Sequence, residues 1–216
     1  MVARFQVNKQ RQFVVVDFDG TLIEGNSLIM FIVYSFRLLV RRGRFSDSWG
    51  VFRAVVERKI RRISHREMKF RILSVLHKVL SEEDIQGFVQ LLVKKVNPKV
   101  KQIIDDASSC GQTIILATAA PDIYISKFAA CQGLDYFIAT DMTDDIRRYK
   151  ESRGEIKKER VEKLVDSLRG EVSTVITDHL DDIPLLLYCK GANMVVSPDE
   201  KTLLALKKNK VEYNLV

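Results

Sequence analysis

The chain has few cysteines and no long apolar run. Its three cysteines (Cys110, Cys131 and Cys189, among 216 residues) have no paired spacing, which excludes a disulfide framework or a zinc site. We interpret them as buried small apolar residues in a reducing compartment, which makes the cytoplasm the expected location. The longest apolar stretch, residues 28–40, contains Arg37 and is too short to span a bilayer. The polar first twelve residues have no apolar region typical of a secretory signal.

The positive charge is unevenly placed. Residues 37–78 hold 13 Lys/Arg and 3 Asp/Glu, a balance of +10, whereas the remaining residues hold 22 and 25, a balance of −3. Such a segment favours an anionic ligand, a membrane surface or nucleic acid, although a solvated helical face is the ordinary alternative. Few aromatic side chains are interleaved for base stacking, which argues against nucleic acid.

Two patterns divide the sequence. Apolar residues at helical spacing, with capping residues Ser64 and Ser81, predict helices over 27–42, 48–62, 65–80 and 82–96. The flanks alternate strand and helix, which predicts an α/β fold with a Rossmann-like, doubly wound parallel sheet. We therefore expect a core of residues 1–25 and 97–216, with the helical residues 26–96 inserted after the first strand. Trp49 and the apolar face of the first of these helices are expected to pack internally.

The core is expected to contain five strands and five helices. After the first strand, residues 13–16, and a helix from Pro98 to about Gly111, we predict strands over 113–118, 136–140, 173–177 and 193–196 and helices over 122–131, 157–168, 182–189 and 199–208. Polar side chains follow the ends of several of these strands. Because parallel strands end at one edge of a sheet, these side chains are expected around a single crevice. They are Asp17, Asp19, Thr118, Lys157, Asp178 and Asp182.

This inventory suits phosphoryl transfer with a divalent metal. Mg²⁺ is bound by a few carboxylates together with water and substrate phosphate. An ammonium and a hydroxyl stabilise phosphoryl oxygens. One carboxylate can attack phosphorus while another transfers protons.

Motifs in the same order resemble the haloacid dehalogenase superfamily, in its phosphatase form. Asp17-Phe18-Asp19-Gly20-Thr21 is similar to the superfamily's first motif, and Thr118, Lys157 and the pair Asp178/Asp182 match the second, third and fourth. The segments ATAAPDIY (117–124), LDYFIAT (134–140), GEIK (154–157) and DDIPLL (181–186) resemble the phosphoserine-phosphatase-like branch. That branch carries a helical cap domain where residues 26–96 lie.

The resemblance implies a role for each matching residue. Asp17 would be the nucleophile and Asp19 the general acid/base. Thr118, Ala119 and Lys157 would bind the phosphoryl group. Asp17, the backbone carbonyl of Asp19 and Asp178 would bind Mg²⁺, with Asp182 supporting either the metal site or Lys157.

Some assignments have competitors in the sequence. Lys150 and Lys158 compete with Lys157, and Asp181 competes with Asp182. Thr177 precedes Asp178 where the fourth motif usually has Gly. Gly25-Asn26 stands where phosphoserine phosphatases carry an acid that binds serine, which argues against phosphoserine as the substrate.

The resulting hypothesis is a Mg²⁺-dependent phosphomonoesterase that acts on a small phosphorylated metabolite through a phospho-aspartyl intermediate at Asp17. One alternative is a lipid-phosphate phosphatase, phosphatidylglycerophosphatase-like, that lies peripherally on an anionic membrane through the basic residues 37–78. The other is a catalytically weak relative that uses the same basic segment to bind anionic partners.

Overall fold

Within residues 10–216, six parallel strands form one sheet. The computed structural model describes residues 10–216. The strands are β1 (Arg11–Val16), β2 (Thr113–Pro121), β3 (Tyr136–Thr140), β4 (Gly170–Thr177), β5 (Ala192–Val195) and β6 (Asn214–Leu215). Their order in the sheet is β3-β2-β1-β4-β5-β6, and every pairing is parallel. The predicted α/β class with a Rossmann-like sheet is confirmed.

Helices cover both faces of this sheet and fill the long connection after β1. They are α1 (Ser27–Arg41), α2 (Phe45–Lys59), α3 (His65–Val79), α4 (Glu82–Val93), α5 (Pro98–Ser109), α6 (Asp122–Cys131), α7 (Glu155–Ser167), α8 (Ile183–Tyr188) and α9 (Glu200–Lys208). A 3₁₀ turn, Leu180–Asp182, precedes α8. Every predicted helix is present, with bounds that differ by a few residues, whereas β6 was not predicted.

The central strand β1 explains why its sequence is a continuous apolar run. It pairs with β2 on one side and β4 on the other, and Phe13 to Val16 are almost fully buried. Val14 and Val16 belong to one apolar core, and Phe13 and Val15 belong to the other. Because both faces of the sheet are covered, no residue of the run alternates toward solvent.

The four helices α1–α4, here called the helical insert, share the larger of these two cores. Leu28, Phe31 and Leu39 of α1 are buried, as the apolar stripe predicted. Ser64 and Ser81 each accept a backbone hydrogen bond at a helix start, as expected of capping residues, and Asn26 caps α1 in the same way. The segments that precede and follow the insert are adjacent, because Ile23 and Val96 form a β-bridge.

Two expectations about burial were wrong. Trp49 is 64% exposed, because α2 buries its opposite face through Ser48, Val51 and Ala54. Cys110 and Cys131 are exposed and Cys189 is only half-buried. Cys110 caps α5 and Cys131 ends α6, so their positions at surface turns override the usual burial of the residue type. Within residues 10–216, no helix combines the length and the apolar character needed to cross a bilayer.

Candidate active site

The chain turns sharply where β1 ends, and this turn presents Asp17 and Asp19 to one cavity. The Asp17 amide still donates to the Ile176 carbonyl at 2.9 Å, which continues the pairing with β4. Phe18 is fully buried against Phe128, and Gly20 turns the chain with φ of +77°. Phe18 is fixed in the core, and Asp17 and Asp19 on either side of it both line the cavity.

The structure brings every predicted site residue to this one cavity, which has a volume of about 580 Å³. It lies at the carboxyl ends of β1, β2 and β4, beneath α1 and α3 of the helical insert. The predicted residues in its lining are Asp17, Asp19, Thr118, Ala119, Lys157, Asp178 and Asp182. The side of the insert contributes an apolar wall made of Leu28, Ile29, Ile32 and Met68.

Lys157 is the centre of a buried charged cluster. Its Nζ lies 2.8 Å from Asp17 Oδ1 and 2.7 Å from Asp182 Oδ1, and the lysine is only 4% exposed. Thr177 Oγ1 donates to Asp182 Oδ2 at 2.7 Å, so the residue that replaces the usual glycine helps to orient Asp182. Asp182 is therefore held beside Lys157.

The competing residues make other contacts. Lys150 is exposed, and Lys158 pairs with Glu162 at 2.6 Å. Asp181 pairs with Arg153 at the cavity mouth. Of the lysines and aspartates that compete for these positions, the geometry places Lys157 and Asp182 next to Asp17.

Burial sets the protonation of this cluster. Loss of solvation raises the pKa of the Asp17 carboxyl to about 7, because attraction to Lys157 offsets it only in part and Asp182 repels it. Burial alone would lower the pKa of Lys157, but attraction to Asp17 and Asp182 outweighs it and raises that pKa. The ammonium thus stays charged at neutral pH, and Asp17 is poised near its protonation midpoint.

Asp178 faces Asp17 from the end of β4 and depends on the absence of a side chain at Gly20. Thr21 Oγ1 donates to Asp178 Oδ1 at 3.1 Å. A Cβ at Gly20 would lie 2.1 Å from Asp178 Oδ2, so only glycine leaves room for this carboxylate. Burial also raises the pKa of Asp178, although hydrogen bonds from Thr21 and from its own backbone lower that pKa in part.

The acidic side chains fit a divalent cation. Burial raises the pKa of Asp17, Asp19 and Asp178 alike, so a cation among them would relieve an unfavourable accumulation of carboxylates. In the described part of the chain, no three His, Cys, Asp or Glu side chains converge closely enough to hold a metal by themselves. Mg²⁺ needs only one or two carboxylates when water and phosphate complete its shell, so the donor set suffices.

Replacing Gly20 by Ala is expected to displace Asp178 and weaken stabilisation by Mg²⁺. Gly111→Ala is the matched control, because Gly111 has nearly the same φ, +79°, but nothing near its Cβ position. The positive φ alone should cost each variant about 1 kcal/mol. Chemical unfolding with and without Mg²⁺ measures the difference, and equal effects of the two substitutions would contradict the crowding argument.

The sequence did not indicate the polar links between the helical insert and the far side of the cavity. Lys69 Nζ lies 2.5 Å from Glu151 Oε2. Arg66 donates to the carbonyl oxygens of Tyr149 and Ile146 at 2.8 and 2.6 Å. The only sequence signal was the basic character of residues 37–78, which does not distinguish these two from the other basic residues there.

Comparison with known proteins adds a family to this geometry. A family model described as haloacid dehalogenase-like hydrolase matches residues 14–187, which is most of the chain and includes every predicted site residue. No curated protein matches the sequence significantly.

Solved structures resemble the fold over nearly its whole length. A protein of unknown function from Bordetella pertussis Tohama I has a TM-score of 0.71 at 17% identity, covering 96% of this chain and 98% of that one. A phosphoserine phosphohydrolase-like protein from Francisella tularensis SCHU S4 has a TM-score of 0.58 at 16% identity, covering 95% of this chain and 94% of that one. A phosphoserine phosphatase with a phospho-aspartyl intermediate analogue has a TM-score of 0.62 at 16% identity, covering 96% of this chain and 93% of that one. At these identities the likeness concerns the fold.

Proposed function

The chain belongs to the haloacid dehalogenase-like hydrolase family, and from that premise we propose that it is a Mg²⁺-dependent phosphomonoesterase. It acts through a phospho-aspartyl intermediate on Asp17. The observation that carries this proposal is the contact of Asp17 with the buried ammonium of Lys157, 2.8 Å away, at the base of a cavity.

Each side chain has a role that follows from its position. An Asp17 carboxylate oxygen attacks phosphorus while the bond to the leaving oxygen breaks, and Asp19 gives that oxygen its proton. Burial raises the pKa of Asp19, although hydrogen bonds from Ser27 lower it in part, which suits a carboxyl that must donate a proton. Asp19 then accepts a proton from the water that cleaves the acyl-phosphate.

Lys157 and Thr118 stabilise the phosphoryl oxygens. The ammonium of Lys157 is fixed by Asp182, so it offers its charge without a cost of reorganisation. Thr118, at the end of the regular part of β2, lines the cavity together with Ala119.

Three groups would hold Mg²⁺: the carboxylates of Asp17 and Asp178 and the backbone carbonyl of Asp19. When bound, the ion offsets the repulsion between the Asp17 carboxylate and a phosphate dianion. Asp182 supports Lys157 in this proposal, because Lys157 and Thr177 both donate hydrogen bonds to its Oδ2.

We further propose that residues 26–96 form a cap over a core made of residues 1–25 and 97–216. In support, α1 and α3 line the cavity, and Arg66 and Lys69 tie α3 to the core segment 146–151. A closed insert would exclude water from the acyl-phosphate and select the leaving group.

The substrate in this proposal is a small phosphorylated metabolite, acted on in the cytoplasm. The apolar wall of Leu28, Ile29, Ile32 and Met68 favours a leaving group with an apolar part. Gly25-Asn26 supply no acid for a serine ammonium, so phosphoserine is disfavoured. The same wall makes a lipid phosphate the second candidate, for an enzyme that lies peripherally on a membrane.

Phosphate release from a panel of phosphomonoesters tests the proposal. The panel includes sugar, nucleoside and aryl phosphates, phosphoserine and short-chain lipid phosphates, each with Mg²⁺ and with EDTA. We expect release that requires Mg²⁺ and is fastest for members with an apolar leaving group. Release that persists in EDTA, or none from any member with Mg²⁺, would contradict the proposed function.

Asp178→Asn and Asp181→Asn form a matched pair for the metal. We expect Asp178→Asn to raise the Mg²⁺ concentration needed for half-maximal activity about tenfold or more, because a carboxylate ligand is lost. Asp181 pairs with Arg153 at the mouth, so Asp181→Asn should leave this concentration nearly unchanged. The Mg²⁺ dependence of the rate for both variants decides the assignment, and equal shifts would refute it.

A further inference from the structure

An exposed apolar stripe runs along α2 on the face turned away from the rest of the insert. Its members, the α2 stripe, follow each other at intervals of three or four residues and are 36–67% exposed: Phe45, Trp49, Phe52, Val56 and Ile60. At 1.5 Å per residue the stripe is about 22 Å long. The Trp49 and Phe52 rings lie 5.6 Å apart, so the aromatic part is continuous.

The stripe is not required by packing within the chain. The opposite face of α2 is the buried one, through Ser48, Val51 and Ala54, and it packs against α3. Five large apolar side chains on one helix face are more than the scattered apolar residues normal for a surface. An exposed stripe of this kind indicates a surface that is covered by something else.

Cations are concentrated in the sequence of α2 and of the segments that flank it. Residues 41–62 contain eight Arg or Lys and two acids. Arg42, Arg44 and Arg53 are paired with Asp84, Asp47 and Glu57. The others form no ion pair within residues 10–216: Arg41, Arg58, Lys59, Arg61 and Arg62.

We propose that the α2 stripe and its flanking cations form a docking surface for an anionic lipid bilayer. A helix with Trp and Phe on one face and Arg and Lys beside it can lie in the bilayer interface, with its apolar face buried and its cations at lipid headgroups. The apolar stripe of α1 is not available for this contact, because Leu28, Phe31 and Leu39 are buried in the core.

The unpaired cations near the α2 stripe favour a bilayer over a second copy of the chain as the partner of this surface. Two α2 stripes facing each other would bring two sets of unpaired cations together, which costs free energy by repulsion. An anionic membrane satisfies the apolar side chains and the cations at once. Nucleic acid would satisfy the cations, but it offers no environment for the aliphatic Val56 and Ile60.

Trp49 is the only tryptophan of the chain, so its fluorescence reports on the α2 stripe alone. We expect its emission to shift to shorter wavelength when the protein is mixed with vesicles in which about a third of the lipid is phosphatidylglycerol. Pure phosphatidylcholine vesicles should cause little shift. Co-sedimentation with the same vesicles measures binding without any need for catalytic activity, so failure of the proposed function would not affect this test.

Paired variants separate the two parts of the surface. We expect a vesicle partition coefficient lower by about tenfold or more for each of two double variants, Trp49→Ser/Phe52→Ser and Lys59→Glu/Arg61→Glu. Added salt should weaken vesicle binding less in Lys59→Glu/Arg61→Glu than in the wild type, because fewer cations are left to screen. Leu204→Ser is the matched control, since Leu204 of α9 is 68% exposed outside the insert and should bind as wild type. Circular dichroism verifies folding of each variant.

Several outcomes would overturn the docking proposal. Equal sedimentation with neutral and anionic vesicles excludes the charge contribution. Binding without a shift of the Trp49 emission places the lipid contact elsewhere on the molecule. A dimer that Trp49→Ser/Phe52→Ser dissociates, seen by analytical ultracentrifugation, would assign the stripe to a second copy, and tight oligonucleotide binding lost in Lys59→Glu/Arg61→Glu would assign it to nucleic acid.

Discussion

Asp17→Asn is expected to abolish phosphate release, with a fall in kcat of at least about 10⁴-fold. An amide cannot attack phosphorus as a carboxylate does, and the neighbouring Lys157 keeps its second partner, Asp182, so the site should remain folded. Steady-state kinetics on the best substrate of the panel, with thermal unfolding as the check on folding, measure the effect.

Asp19→Asn provides the matched comparison within the same motif. With an aryl phosphate, whose leaving group needs little protonation, this variant should still phosphorylate Asp17 but hydrolyse the acyl-phosphate slowly. Labelled phosphate should therefore remain on the protein after a rapid acid quench and be released by hydroxylamine. Label on the Asp17→Asn variant, or a kcat of that variant close to the wild-type value, would show that Asp17 is not the nucleophile.

Lys157→Met is expected to destabilise the protein by about 3–5 kcal/mol, since it leaves the buried carboxylates of Asp17 and Asp182 without their cation. Lys150→Met serves as the control, because Lys150 is exposed and should contribute almost nothing to stability. Chemical denaturation in EDTA measures the free energy of unfolding of both. Equal stabilities would mean that the cluster contributes no net free energy to folding.

The pH dependence of this loss has a definite sign. Burial already raises the pKa of folded Asp17 to about 7, and loss of the ammonium raises it further. A raised pKa means that the folded state binds the proton more tightly than the unfolded state does, so stability falls as the pH rises from the unfolded value near 4 through the folded one. The destabilisation by Lys157→Met should therefore be smallest in mild acid and grow above neutral pH.

Much of this architecture follows from local patterns in the sequence. The apolar run before Asp17 predicted the central strand, and Ser64 and Ser81 predicted helix starts because capping is a local interaction. The start of α2 was predicted three residues late, since its N-cap, Arg44, makes no side-chain cap bond. The strand β6 has only two residues, both exposed, and pairs with β5 through contacts that no periodicity encodes.

The candidate site was predicted as a list of residues rather than as a set of contacts. Parallel-sheet geometry accounts for the convergence of Asp17, Thr118 and Asp178, because it places strand ends together. The hydrogen bond from Thr177 to Asp182 and the contacts of Lys69 depend on side-chain positions that only the folded chain defines. Trp49 was likewise expected to pack within the insert, but its residue type alone cannot say whether the side chain meets the core or something outside it.

The central position of β1 has a consequence for biosynthesis. Phe13 of this strand pairs with Thr113 in β2 and with Val172 in β4, so both neighbours are translated much later than β1. While the helical insert is being synthesised, β1 is an apolar strand whose two edges are both unpaired. Strands of this kind are prone to associate with other chains. Loop closure over such distances also slows folding. The helical insert can form its local contacts first, so the nascent chain is expected to depend on chaperones most strongly before β2 emerges.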